Sequence, residues 1–123
     1  MIIGIGTDTI EIEKIKRNID NLAYLSAIFH NEEIQVGKQK ADAAQYFAGR
    51  FAAKESLRKA AENLFKESFP WNSINIFNEP NGKPWIKFYG DASSIIDSAG
   101  SLKIHLSISH CETVATAVVI IEM

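Results

Sequence analysis

The chain has 123 residues, 46% hydrophobic and 23% charged, which is enough apolar material for one packed domain without disulfide or metal staples. Thirteen Lys/Arg against fifteen Asp/Glu leave a net charge of −2, so no overall basic field points to nucleic acid. No apolar run approaches the roughly 20 residues of a membrane span. The start, Met1–Gly6, lacks a basic leader segment, and the single Cys111 excludes an internal disulfide and a multi-cysteine metal site. A reducing cytoplasm is the expected location. The charge is unevenly spread: residues 1–60 carry nine basic and eight acidic groups, net +1, and residues 61–123 carry four and seven, net −3. Tight basic clusters fall at Lys14-Lys16-Arg17 and at Arg50-Lys54-Arg58-Lys59.

In chain order, the β-branched run Ile2–Ile5 predicts a strand ending near Thr7. Asp8 or Thr9 then reads as the cap of a helix over Glu11–Ile19, with Ile12 and Ile15 inward. Asn21–Phe29 predicts a second helix, and Asn31 the cap of a third over Glu32–Val36 that Gly37 ends. Residues 40–68, rich in Ala, free of Pro and with one Gly, give the strongest helical pattern, and its wide apolar arc predicts packing on more than one side. The period then changes from 3.6 to 2. Ile74–Phe77 and Pro84–Tyr89 flank the turn chemistry of Asn78–Lys83 and predict a hairpin. Asp91–Ala99 predicts a short helix ended by Gly100. Lys103–Ser109 alternates, with His105, Ser107 and Ser109 on its polar face, and Thr113–Glu122, apolar on both faces, predicts a central strand. The class is α+β, a long helix packed on a small, mostly antiparallel sheet in a single domain over 1–123.

Three places carry candidate chemistry. Asp8, at the end of a strand bearing Gly4 and Gly6, reads either as a helix cap or as a carboxylate beside helix N–H groups; two glycines are too few for a dinucleotide fingerprint. Arg50, Lys54 and Arg58 form an i, i+4, i+8 row of like charge, which destabilises an isolated helix and suggests an anionic partner. Glu55 beside that row is either one half of a surface pair with Lys59 or the carboxylate of a metal–phosphate site, holding a hard cation while the row holds phosphate oxygens. His105, Ser107 and Ser109 line either a phosphate pocket or a solvated sheet face. Cys111 reads as a buried, inert thiol, since adjacent strand residues point opposite ways and separate it from His110.

Four segments in order resemble one family. Gly4-Ile5-Gly6-Thr7-Asp8-Thr9-Ile10-Glu11 and Phe47-Ala48-Gly49-Arg50-Phe51-Ala52-Ala53-Lys54-Glu55-Ser56-Leu57-Arg58-Lys59 resemble the two signatures of the 4'-phosphopantetheinyl transferases. Asn81-Gly82-Lys83-Pro84 and His105–His110 follow in the family's order. The length resembles the small, single-domain holo-acyl-carrier-protein synthase branch. The resemblance implies Mg2+-dependent transfer of 4'-phosphopantetheine from coenzyme A to a serine of apo acyl carrier protein, releasing 3',5'-ADP, in support of fatty acid biosynthesis. It implies Asp8 and Glu55 as metal carboxylates, with Glu55, directly or through a bound water, taking the serine proton. It implies Lys59 on the pyrophosphate, Arg50 and His105 on the nucleotide's phosphates, and Gly82, Pro84 and Ser109 around adenine and ribose. Lys54 is expected to join the phosphate contacts as part of the basic row. The Lys14–Arg17 helix matches the element that docks the acidic carrier protein. A homotrimer with sites between protomers is also implied, part of the long helix's apolar arc then being interface. Arg58 matches no position with a family role. A non-catalytic nucleotide-binding module and an RNA-binding domain are the competing readings; the first has no need of paired metal carboxylates and the second calls for a basic aromatic sheet face.

Overall fold

The structure is a computed structural model that describes residues 1–65 and 69–123. Ten main elements follow in the order β1 (Ile2–Glu11), α1 (Ile12–Lys16), α2 (Leu22–Ile28), α3 (Asn31–Lys38), α4 (Ala43–Ala61), β2 (Ile74–Asn78), β3 (Pro84–Phe88), α5 (Gly90–Ser98), β4 (Lys103–His110) and β5 (Val114–Glu122). β1, β5 and β4 form one antiparallel sheet in that order, and β2 and β3 form a separate hairpin. The doubly apolar β5 is the central strand, as its pattern predicts. The long helix is shorter than expected: α4 ends at Ala61, turns continue to Leu64, and the predicted stretch at 66–68 lies outside the described residues.

α4 lies across one face of the three-stranded sheet. Thirteen of its 19 residues are buried, so its wide apolar arc is consumed within a single chain rather than left for a partner. Phe47 and Phe51 meet Phe29, Ile15 and Leu25 at one end, and Leu57 and Ala60 meet Val119, Ile121 and Ile76 at the other. Burying each large side chain contributes about 1.5–3 kcal/mol. Ser56, in mid-helix, donates to Ala52 O and is also 3.0 Å from Ala117 O, tying the helix to β5.

The Gly4-x-Gly6 pattern has a packing cause. A Cβ at Gly6 would sit 2.0 Å from the carbonyl oxygen of Ser56, and one at Gly4 would sit 2.1 Å from that of Ala60. Only glycine lets β1 run this close to α4. The strand therefore delivers the next residue on that face, Asp8, directly beside the 55–59 turn of the helix.

β1 continues to Glu11, past the predicted end. Asp8 pairs with Ala117 in the ladder, so it caps no helix; Glu11 stands at the N-cap of α1 and makes no side-chain cap bond. α1 is only five residues long, and Lys14 and Arg17 lie exposed at its end. Asn21 caps α2 as its side-chain oxygen accepts from Tyr24 N–H. At α3 the cap is His30, not Asn31: His30 Nδ1 accepts from Glu32 N–H, while His30 N–H donates to Glu33 Oε1. Gly37 lies inside α3, where a Cβ would strike the Phe47 ring at 2.3 Å. Its glycine marks close packing rather than a helix end.

Candidate active site

Asp8, Glu55 and Lys59 come together. Lys59 Nζ reaches from α4 to Asp8 Oδ1 at 3.0 Å and to Thr7 O at 3.1 Å. Glu55 stands one turn before Lys59 on the same helix face and pairs with Arg58 Nη1 at 3.6 Å. Both carboxylates keep partial access to solvent, 18% for the Asp8 side chain and 22% for that of Glu55. A cavity of about 680 Å³ opens beside them. Glu55, Arg58, Lys59 and Glu62 line it together with Phe69, Trp71 and Ile74. A lining that mixes cations with aromatic side chains suits a ligand with an anionic part and an uncharged arm.

The donor set is compatible with a hard cation. Two carboxylates, Asp8 and Glu55, beside cationic side chains match the way Mg2+ is usually held, by one or two carboxylates plus substrate phosphates. Among the described residues no group of three or more His, Cys, Asp or Glu side chains gathers.

Lys54 is a correction to the expected phosphate row. Its side chain is fully buried, ion-paired to Glu33 Oε1, and its ammonium also donates to the carbonyls of Ile28, Trp71 and Ile74 at 2.9, 2.8 and 2.7 Å. An ammonium has three donors, so none is left for a ligand. Burial pushes the Glu33 carboxyl above its ordinary range and the Lys54 ammonium below its own, while each partner's charge pulls the other back. Glu33 also accepts from His30 N–H and Ile76 N–H, which satisfies the carboxylate in the interior. The charge row along α4 is thus relieved by a buried counter-ion from α3, a partner far away in sequence.

The remaining expected residues lie elsewhere on the chain. Arg50 is buried, stacked on Tyr46 at 4.4 Å, and donates to Asn78 Oδ1 at 2.9 Å. Asn78 closes β2 at the turn that holds Gly82 (φ +88°) and Pro84, so Arg50 leans toward the hairpin rather than the cavity. His105 and Ser109 lie on the sheet face turned away from α4, where His105 Nε2 is 2.7 Å from Glu122 Oε1 and that bond holds the Glu122 carboxyl below its ordinary range. One chain therefore assembles the carboxylate–lysine group and leaves Arg50, Gly82, Pro84, His105 and Ser109 outside it.

Cys111 is exposed, against the expectation of a buried thiol. It lies in the tight turn between β4 and β5, where its N–H bonds Val114 O, and too few residues surround it to bury it. Arg58 and Trp71 are the site neighbours that sequence reasoning missed. The guanidinium of Arg58 lies 5.1 Å from the centre of the Trp71 ring. The only sequence signal for Arg58 was its place in the basic row; Trp71 opens a short 3-10 turn after Pro70 and carried none.

The sequence profile of the 4'-phosphopantetheinyl transferase superfamily matches residues 4–119. A holo-[acyl-carrier-protein] synthase of Koribacter versatilis is 36% identical over 124 residues, covering 99% of each chain. The crystal structure of the holo-[acyl-carrier-protein] synthase of Neisseria meningitidis superposes with a TM-score of 0.89 at 31% identity, covering 100% of both chains. That of Bacillus anthracis, in complex with CoA (3',5'-ADP), superposes with a TM-score of 0.79 at 31% identity, covering 99% of this chain and 97% of the other. By sequence profile, full-length relatives and structural likeness together, the chain belongs to the 4'-phosphopantetheinyl transferase superfamily, among its holo-acyl-carrier-protein synthases.

Proposed function

We propose that this chain transfers the 4'-phosphopantetheine group of coenzyme A to a serine hydroxyl of apo acyl carrier protein and releases 3',5'-ADP. The observation that carries the reading is the ion pair of Asp8 with Lys59 beside a cavity that Lys59 and Glu55 line together with Arg58 and the aromatic Phe69 and Trp71. Lys59 holds pyrophosphate oxygens. Glu55, or a water it orients, accepts the serine proton as the oxygen attacks the phosphorus attached to pantetheine. The bond from that phosphorus to the bridging oxygen breaks, and the electron pair leaves with 3',5'-ADP. Asp8 and Glu55 would hold Mg2+, which supplies neutralisation of the charge that builds up on the leaving phosphate. The aromatic side chains of Phe69 and Trp71 offer the arm a dry surface. Fatty acid synthesis is the process the product would serve, and the cytoplasm is where its substrates would meet it.

The reading extends to a homotrimer with sites shared between protomers. Two observations support it. Within one chain the candidate nucleotide contacts are divided between the cavity, the hairpin and the far sheet face. That far face carries exposed apolar surface, Ile5 being 66% exposed and paired with Ile120. A neighbouring protomer seated there would bring Arg50, the hairpin, His105 and Ser109 of one chain toward the carboxylates of another. Sedimentation equilibrium should give three times the 13.7 kDa chain mass; a monomer at micromolar concentration would refute the shared site.

The direct test of the activity is to incubate the protein with apo carrier protein, coenzyme A and Mg2+ and to weigh the carrier. The expected result is the mass gain of one phosphopantetheine arm. No gain overturns the reading, and full gain in EDTA removes the metal from it.

Lys14 and Arg17, exposed on α1, are the proposed docking cations for the acidic carrier. Lys14→Glu combined with Arg17→Glu is expected to raise the KM for carrier protein about tenfold, equivalent to ~1.4 kcal/mol, and to leave that for coenzyme A unchanged. Equal increases in both would show that the pair affects the site rather than docking.

A further inference from the structure

Each of the two carboxylates faces a cation of α4: Asp8 faces Lys59 at 3.0 Å, and Glu55 faces Arg58 at 3.6 Å. Lys59 is accounted for by the reading above. Arg58 is not, yet it has three relations to the site: it pairs with Glu55, it lies over the Trp71 ring at 5.1 Å, and it lines the cavity.

These relations decide what it can do. The Arg58 side chain is 61% exposed, and an exposed i, i+3 pair at 3.6 Å contributes little in water. The pair is therefore easily exchanged. The indole face restrains the guanidinium beside the cavity and lowers the cost of ordering so long a side chain. Trp71 is itself fixed, since its carbonyl accepts from the buried Lys54 ammonium at 2.8 Å. A guanidinium presents a planar fork of donors that matches phosphate oxygens, and a phosphate carries more charge than the single carboxylate it would replace.

We propose that Arg58 is a pyrophosphate-binding residue of this chain that masks Glu55 while the site is empty, so that a divalent cation and coenzyme A bind with positive coupling. In the empty site Arg58 competes with the cation for Glu55. When the pyrophosphate enters, Arg58 moves to its oxygens and leaves Glu55 open to the cation. Each ligand thus removes an obstacle to the other, and the coupling is reciprocal. The inference rests on the transferase reading and names a second cation of that same cavity.

Arg58→Gln separates masking from support of the fold, because the two ligands should respond in opposite directions. Coenzyme A affinity, measured by titration calorimetry at fixed Mn2+, is expected to weaken about tenfold, as loss of a charge-assisted hydrogen bond predicts. Mn2+ affinity without nucleotide, read by electron paramagnetic resonance, is expected to tighten about twofold, as removal of a weak competing pair predicts. Arg58→Lys should restore part of each change. Unchanged affinities in Arg58→Gln would overturn the proposal, and so would a weakening of both ligands together, which would mark a structural residue. Failure of the wild-type protein to bind coenzyme A would overturn the transferase reading and this proposal with it. Wild-type binding with an unaffected variant would overturn only the assignment of Arg58.

Discussion

Lys54→Met is expected to lower the unfolding free energy by about 3–5 kcal/mol, a large fraction of the roughly 5–15 kcal/mol available to a domain of this size. The lysine looks from sequence like one more exposed cation of a ligand row. In the fold its side chain is fully buried and its ammonium joins four pieces of backbone and side chain: the end of α2 through Ile28 O, α3 through Glu33, and the segment leading into and opening β2 through Trp71 O and Ile74 O. Methionine fills a similar volume but donates nothing. It leaves the Glu33 carboxylate buried without its counter-ion and takes the ammonium from the carbonyls of Ile28, Trp71 and Ile74, and that loss sets the size of the effect. Urea unfolding followed by circular dichroism measures it. A loss below about 1 kcal/mol would show that water enters and replaces the ammonium. Adding Glu33→Leu to Lys54→Met should recover part of the loss, because an apolar pair no longer carries an uncompensated charge.

The contrast between Lys54 and its neighbours shows what could be read in advance. Among the described residues, periodicity located the five α-helices and five strands, though not all their ends nor the single 3-10 turn at Trp71–Ser73, since apolar spacing is a local property of the chain. The central place of β5 was also legible, because a strand apolar on both faces must be covered on both edges or both faces. Asp8 was not legible as a strand residue. Its Gly-rich, polar surroundings look like a strand end, and only the register with Ala117 and the close approach of Gly6 to Ser56 carry the strand through it. Lys54 and Cys111 failed for a related reason. Whether a lysine is buried or a cysteine exposed depends on distant segments, Glu33 in one case and a tight turn with no covering element in the other. The His30 cap was missed because Asn is the commoner capping residue and stands next to it. The carboxylate–lysine group was legible through resemblance of its motifs, whereas Trp71, which arrives from a short 3-10 turn, was not.

Glu55→Gln is expected to reduce kcat at least about 100-fold, the low end of what a general base contributes, while the urea midpoint stays within the range of a surface substitution. The local geometry supports both halves of that expectation. The Glu55 side chain is partly open to solvent, and its described ion pair is the exchangeable one with Arg58. Exchanging a carboxylate for an amide of the same shape at such a place removes little folding energy. It removes the negative charge that a hard cation needs, and it removes the proton acceptor for a serine hydroxyl whose own acidity is far too weak at neutral pH. Intact-mass assays of carrier modification with saturating coenzyme A and carrier protein measure the rate. Wild-type turnover in Glu55→Gln would take Glu55 out of the chemistry and leave Asp8 and Lys59 as a binding pair only. Taken with Lys54→Met, the result separates two neighbours that the motif joins. Helix geometry points residue 54 into the core and residue 55 along the cavity wall, about 100° apart around α4. Substitution at position 54 should therefore destabilise the fold and substitution at position 55 slow the reaction, so measuring both variants for stability and for turnover distinguishes the scaffold of the site from its chemistry.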